Sequence, residues 1–463
     1  MSPHRLSAVE LLAAYRARTL SPIEAVRAIL EHISEWEPHL KATYRLDPEG
    51  ALAAASRSER RWLHGEPRGP LEGVPITIKD NIATKGVPVP LGTAASDLAP
   101  APADAPPAAR VREAGAVILG KTTMPDYGML SSGLSSFHPL TRNPWNLARN
   151  PGGSSAGAGA AGAAGYGPLH IGTDIGGSVR LPAGWCGLFT LKPSLGRVPI
   201  DPPYIGRVAG PMTRTVADSA LLMSVLVKPD ARDHMSLPYQ PLPAQVTPLK
   251  PEGLRIGLLL DAGCGLAVEP QVRTAVEAAA KSFAEAGAIV EPMRPFFTLE
   301  MLDGLDHFWR MRAYLDISAL PEERRAKALP FIVDWAMSAA PFGGAKTFHD
   351  FSQIMATRKA AVTACEPYDY VLSPVSPVLP FAAEWPCPTN DAKRPLDHIA
   401  FTVPYNMSEQ PVASINCGFS ADGLPIGLQI AGHRFDDIGV MRIARWYEEA
   451  RGGGRPWPEP PQG

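Results

Sequence analysis

Charge is nearly balanced along this chain: 44 basic residues stand against 46 acidic ones in 463, the formal net charge is −2, and no Lys/Arg-rich run stands out. Nothing in the sequence therefore draws the phosphate backbone of a nucleic acid electrostatically. Cysteine is scarce as well. Cys186, Cys264, Cys365, Cys387 and Cys417 are odd in number, scattered, and never in a Cys-x-x-Cys pair. That argues against a disulfide frame and against a zinc site, and leaves structural thiols. No stretch reaches the roughly 18 uninterrupted apolar residues of a membrane span. Met1-Ser2-Pro3-His4-Arg5 runs into a periodic helix without the charged and apolar regions of a signal peptide. The expectation is an unanchored cytoplasmic protein with neither a membrane nor a nucleic-acid partner. No solenoid or propeller period recurs, and the 50 prolines mark no single linker. The reading is one large domain over 1–463.

What the chain has is apolar side chain: 45% of residues are hydrophobic against 19% charged, the balance of a globular protein with a large core. Leu6 to Arg16 and Ile23 to Trp36 carry apolar residues at helical spacing. Ser21, Pro22 and Glu24 form a capping box with proline at the first helical position. With an alanine-rich third helix from Ala51 to Trp62, these segments make a helical layer over 1–65. Then the texture changes. Val74-Pro75-Ile76-Thr77-Ile78 and Ala116-Val117-Ile118-Leu119 are short β-branched runs, and Gly, Ala and Ser crowd between Gly152 and Gly187, inside a core over 66–235. Leu254 to Leu260, Pro270 to Ala286 and Ala288 to Met293 read as strand, helix and strand. A partly helical insertion is predicted over 294–366. Strand character resumes at Asp369 to Leu372, Val412 to Ile415 and Gly427 to Ile430, before a helix from Ile438 to Glu449 and a tail over 452–463 expected to be disordered. Alternating strands and helices predict an α/β fold.

Three distant segments carry chemistry. In Gly172-Thr173-Asp174-Ile175-Gly176-Gly177-Ser178-Val179-Arg180 a serine follows two glycines, where backbone can turn sharply and aim successive amides at one point, as an oxyanion hole requires. Ser178 is thus a candidate nucleophile. A phosphate-binding loop is the competing reading, but Val179-Arg180 stands where its Lys-Ser/Thr would follow. Histidine is the usual base for a serine, yet His138, His170, His398 and the rest lie in no motif, and no Gly-x-Ser-x-Gly elbow exists. Lys79 closes the run Ile76-Thr77-Ile78, and burial there would lower its proton affinity until it serves as a base. Alone, Lys79 reads equally as a solvated or paired lysine. In Pro151-Gly152-Gly153-Ser154-Ser155-Ala156-Gly157, Ser154 reads equally as part of a packed glycine loop.

Together these segments resemble the amidase signature. The stretch from Asn143-Pro144-Trp145 through Gly-Gly-Ser-Ser to Leu191-Lys192-Pro193-Ser194 is similar to it. Lys79 sits in a Gly-Val-Pro-x-x-x-Lys-Asp context, and Ser154 precedes Ser178 by 24 residues, as in the family. Likeness covers most of Leu71 to Arg197 and returns more weakly from Asp369 to Gly432. The resemblance implies a large mixed, twisted sheet covered by helices on both faces. It also implies a catalytic triad of Ser178, Ser154 and Lys79, with Ser154 in a cis peptide after Gly153, and an oxyanion hole from the backbone of Ile175, Gly176, Gly177 and Ser178. Asp174 and Arg180 resemble the family's supporting ion pair, with Ser155 beside them. No metal and no cofactor is implied. Cys186 invites a nucleophile reading, but its Ala-Gly-Trp-Cys-Gly-Leu context is that of family core.

Substrate is the blank. Lys121 to Ser131 matches a region that lines the acyl pocket in relatives, departing from Asn-Met-x-Glu-Phe at Thr123, Asp126 and Tyr127; Gly128, Met129 and Ser131 are placed near substrate. Glutaminase subunits of tRNA-dependent amidotransferases carry an aspartate where Ile399 stands. An isoleucine cannot pair an ammonium, so a pocket for neutral acyl or carbamoyl groups is expected. The leading expectation is an amidohydrolase acting on neutral aliphatic or aryl amides, with carbamates included in a urethanase-like reading, as monomer or homodimer. The alternatives are a carboxylated-urea hydrolase or transamidase subunit that needs a small partner chain, and a catalytically idle binding or scaffold member.

Overall fold

The first helices start where their caps dictate. Ser7 and Glu10 form a reciprocal capping box at Ala8–Ala17, and Ser21 and Glu24 repeat it at Pro22–Leu40, with Pro22 in the first turn. Val26, Ile29, Ile33, Trp36 and Leu40 line the buried stripe of the second helix. That stripe packs on Ala51 and Ala55 of helix Pro48–His64 and on Val117, Leu119, Ala160 and Ala164 of the body beneath.

The computed structural model describes residues 2–461. Eleven strands form one sheet: β1 Thr43–Leu46, β2 Pro75–Lys79, β3 Val117–Thr122, β4 Leu169–Asp174, β5 Phe189–Lys192, β6 Val208–Thr213, β7 Arg255–Leu258, β8 Ile289–Pro292, β9 Tyr370–Pro374, β10 Val412–Phe419 and β11 Pro425–Ala431. Their order is β1-β3-β2-β4-β6-β5-β10-β11-β9-β7-β8. Parallel pairs at β3-β2-β4 and β9-β7-β8 flank an antiparallel centre, so the sheet is mixed as the family resemblance implied. Every residue of β2 and of β4 is buried, which is why neither shows polar–apolar alternation.

Helix Ala156–Ala164 is built of alanine and glycine alone and is buried throughout. Its small residues let backbone meet backbone: a Cβ on Gly157 would lie 2.2 Å from the Ala42 carbonyl oxygen. The segment 294–366 folds as helices Leu299–Ser318, Glu322–Arg325, Pro330–Met337 and Gly344–Cys365. It adds Trp309, Ile317, Ile332 and Trp335 to a core shared with Ile399, Phe401 and Tyr405.

Through Pro461 the tail forms no helix or strand; Trp457 packs 5.9 Å from Trp145 with the Arg214 guanidinium 4.5 Å from its ring, and Glu459 pairs with Arg5. Gln462 and Gly463 lie outside the described residues.

Candidate active site

Strand register brings the three segments together. Ile78 of β2 pairs in parallel with Ile171 of β4, which carries Lys79 alongside the end of β4, where the chain turns into the loop holding Ser178. Helix Ala156–Ala164 packs beneath β2 and β4 and holds Ser154 and Ser155 at its start. Lys79 is fully buried, and its Nζ reaches Ser154 Oγ at 2.9 Å, Ser155 Oγ at 3.0 Å and Thr173 Oγ1 at 3.0 Å. The Gly153–Ser154 peptide is cis. Among the described residues no carboxylate lies within 4.0 Å of Lys79 Nζ.

Hydrogen-bond accounting gives the hydroxyls different roles. Ser155 donates to the Thr173 carbonyl at 3.2 Å, and Thr173 Oγ1 accepts from Asn81 Nδ2 at 3.0 Å. Ser154 Oγ has no partner but Lys79 among the described residues. When the amine is neutral it has two protons and one lone pair, and Ser154 is the hydroxyl of the three with no other bond to satisfy, free to donate to that lone pair. Burial pushes the lysine down to about 7, against the pull of Asp174 and Asp80. The number alone does not single it out, since burial brings Lys121 and Lys192 to about 7 as well. Lys79 is the one of these three whose Nζ touches a serine.

Ser178 is half-buried and lines a pocket, and its hydroxyl makes no hydrogen bond among the described residues. Behind it, Asp174 accepts from the amides of Gly177 at 2.8 Å and Val179 at 3.1 Å, from Asn406 Nδ2 at 2.9 Å and from Arg180 at 3.1 Å. Burial would raise this carboxyl, but the Arg180 charge and these donors outweigh it and hold it well below the carboxylate range. Arg180, itself buried, also donates to the Thr402 carbonyl and Gln429 Oε1, each at 2.9 Å. Gly177 has φ +129°, and a Cβ there would lie 2.7 Å from Thr402 Oγ1, so the turn requires glycine.

The Gly177 amide donates to Asp174, whereas among the described residues the amides of Ile175, Gly176 and Ser178 have no protein acceptor.

Gly128, Met129, Ser131 and Ile399 line the same pocket as Ile175, Gly176 and Ser178. The sequence reading missed Trp309, Trp335 and Leu396, supplied by the helical segment and the loop before Ile399, and Arg312, which stacks on Tyr204 at 4.6 Å. It also missed Thr173 and Asn81. Each lies within or beside a quoted motif, but only strand register turns their polar ends toward Lys79. The histidines offer no rival base: His138 faces Asp80 at 2.7 Å, His170 faces Thr77 at 2.7 Å, and His398 is buried without a partner. Burial raises the Cys186 thiol far above its usual range, and its Sγ faces the Pro151 carbonyl. No group of three or more His, Cys, Asp or Glu among the described residues could hold a metal ion.

The chain is 34% identical to a glutamyl-tRNA(Gln) amidotransferase subunit of Myxococcus xanthus (strain DK1622), over 96% of each chain. It is 32% identical to an acylamidase of Rhodococcus erythropolis, over 98% of this chain and 96% of that one. The structure of a bacterial aryl acylamidase, an amidase-signature enzyme, superposes with a TM-score of 0.87 at 29% identity over 96% of each chain. The family model for amidases matches residues 24–441, and the chain belongs to the amidase-signature family.

Proposed function

We propose that the chain works alone as an amidohydrolase on neutral aliphatic or aryl amides, with carbamates as a second substrate class. The wider reaction class, hydrolysis of an amide C–N bond, is that of the family. The observation that carries the narrower reading is the buried Lys79, without a carboxylate partner and 2.9 Å from Ser154, beside a pocket walled by Trp309, Trp335 and Leu396 that opens on Ser178. Ser178 Oγ attacks the carbonyl carbon while its proton passes to Ser154 and the Ser154 proton to Lys79. The oxyanion sits against the Ile175, Gly176 and Ser178 amides. The amine leaves with the proton returned through Ser154, and water then cleaves the acyl-enzyme by the same relay.

Trp309, Trp335, Leu396 and Ile399 favour an uncharged acyl group, because none of them compensates an ammonium. The test pairs amides, esters and carbamates of one acyl group with the isolated chain. Release of 4-nitroaniline from an anilide, together with fluorophosphonate labelling that disappears in Ser178→Ala, supports the reading; labelling that persists in that variant ends it. The likeness to an amidotransferase component favours a second reading, a chain that is active only with a small partner. Turnover that begins only when such a partner is added would select it.

A further inference from the structure

A second hollow lies outside the catalytic pocket, at the β1 edge of the sheet. It holds about 680 Å³ of solvent-reachable space against about 40 Å³ in the catalytic slot. Its walls come from β1, helix Pro48–His64, the turn after β2, the end of helix Pro106–Glu113 and Val117, Ile118, Gly120 and Lys121 of β3. Arg45, Arg57, Arg61, Arg68, Lys85 and Arg112 surround it, and Lys121 lies in its floor. One acid lines it, Asp47, whose carboxylate is occupied in capping the helix through the Gly50 amide at 2.9 Å. The chain as a whole carries a formal charge of −2, so folding has gathered here cations that the sequence scatters.

The cations differ in how they are held. Arg61 is fixed by Glu72 and Arg112 by Asp104, at 2.6 and 2.7 Å. Among the described residues the side chains of Arg45, Arg57, Arg68 and Lys85 have no carboxylate within 4.0 Å and no hydrogen-bond acceptor. Lys121 Nζ donates to the Ile82 carbonyl and to Thr84 Oγ1, and its burial lowers its proton affinity, so the charge of the hollow rests on the four unpaired side chains and on Arg61 and Arg112. Like charges crowded around a concavity repel one another and focus a positive potential into it. Guanidinium forks match phosphate oxygens two at a time.

We propose that this hollow is a binding site for a small polyanion bearing several phosphates, recognised by its phosphate chain. The excess of cations calls for several negative charges in one ligand, more than a lone carboxylate or sulfate supplies. The size is that of a small-molecule site and not of an extended groove. Its lining includes no aromatic ring on which a base could stack, which disfavours single-stranded nucleic acid and makes a nucleoside incidental.

Titration calorimetry and thermal melting of the full chain, with inorganic triphosphate and with ATP at low salt and without divalent cations, test this. Both ligands are expected to bind with similar affinity, to raise Tm, and to weaken as salt is added. The double variant Arg57→Gln/Arg68→Gln removes two exposed, unpaired cations without touching the core. It should lose tenfold or more in triphosphate affinity while keeping wild-type circular dichroism and wild-type fluorophosphonate labelling of Ser178. The proposal is overturned if wild type gives neither binding heat nor a Tm rise with triphosphate, or if the double variant binds as tightly as wild type. It is equally overturned if a single-stranded RNA binds more tightly than triphosphate at equal phosphate concentration.

Discussion

At the residue scale the proposed mechanism turns on the proton of Lys79. Burial moves its titration to about 7, so below that pH the amine is protonated and cannot take a proton from Ser154, and above it the base is free. The acylation rate, followed as a burst of released 4-nitroaniline, should rise with pH through about 7 and level off above. Lys79→Ala should lower that burst rate by about 10²–10⁴, the range for loss of a general base. Ser155→Ala should fall less, since Ser155 only accepts from Lys79, but it should move the pH midpoint. Lys79, Ser154 and Ser178 were legible because each stands in a motif with fixed spacing. Thr173 and Asn81 were not, because their roles depend on which strand lies beside β2 and at what register.

At the scale of the element, the nucleophile turn is a loop pinned from behind. Asp174 and Arg180 are both fully buried, and Asn406, Thr402 and Gln429 hold the pair from other parts of the chain. Arg180→Met leaves a buried carboxylate without its cation and should cost about 3–5 kcal/mol in denaturant unfolding. Asn406→Ala removes one donor to Asp174. It should lower kcat while leaving the pH midpoint of acylation in place, since Lys79 is untouched.

The N-terminal helix offers a separate test. Burial raises Asp218 to about 7 even though the Ala8 and Val9 amides and Thr215 pull it down, and its Oδ2 has no partner. A carboxyl raised in the folded state contributes stability at low pH that is lost as pH climbs from its unfolded value through about 7. The Tm of wild type should therefore decline relative to that of Asp218→Asn across this window. The capping box that starts Pro22–Leu40 was plain in the sequence, whereas β1, β4, β5 and β6 were not. Those strands are short, and β4, β5 and β6 are wholly buried, so they lack the alternation that marks a strand.

Across the whole molecule, legibility follows how local the cause is. The β-α-β order near 255–292 and the helical character of 294–366 come from neighbouring residues and could be read directly. The strand order could not, since β10 and β11 sit between β5 and β9 through pairings as remote in sequence as Ala413 with Leu191. The pocket is the intermediate case. Gly128, Met129, Ser131 and Ile399 were expected there from motif, but its tryptophans arrive from a segment whose packing no local pattern specifies.

The tail bears on the molecule as a whole too. Arg5 pairs with Glu459, and Arg214, whose guanidinium lies over Trp457, also donates to the carbonyls of His4 and Ala163. The first and last described segments therefore meet over one patch of surface. A short glycine-serine bridge across that gap, with new ends opened elsewhere on the exterior, would turn the chain into a circular permutant that folds to the same sheet.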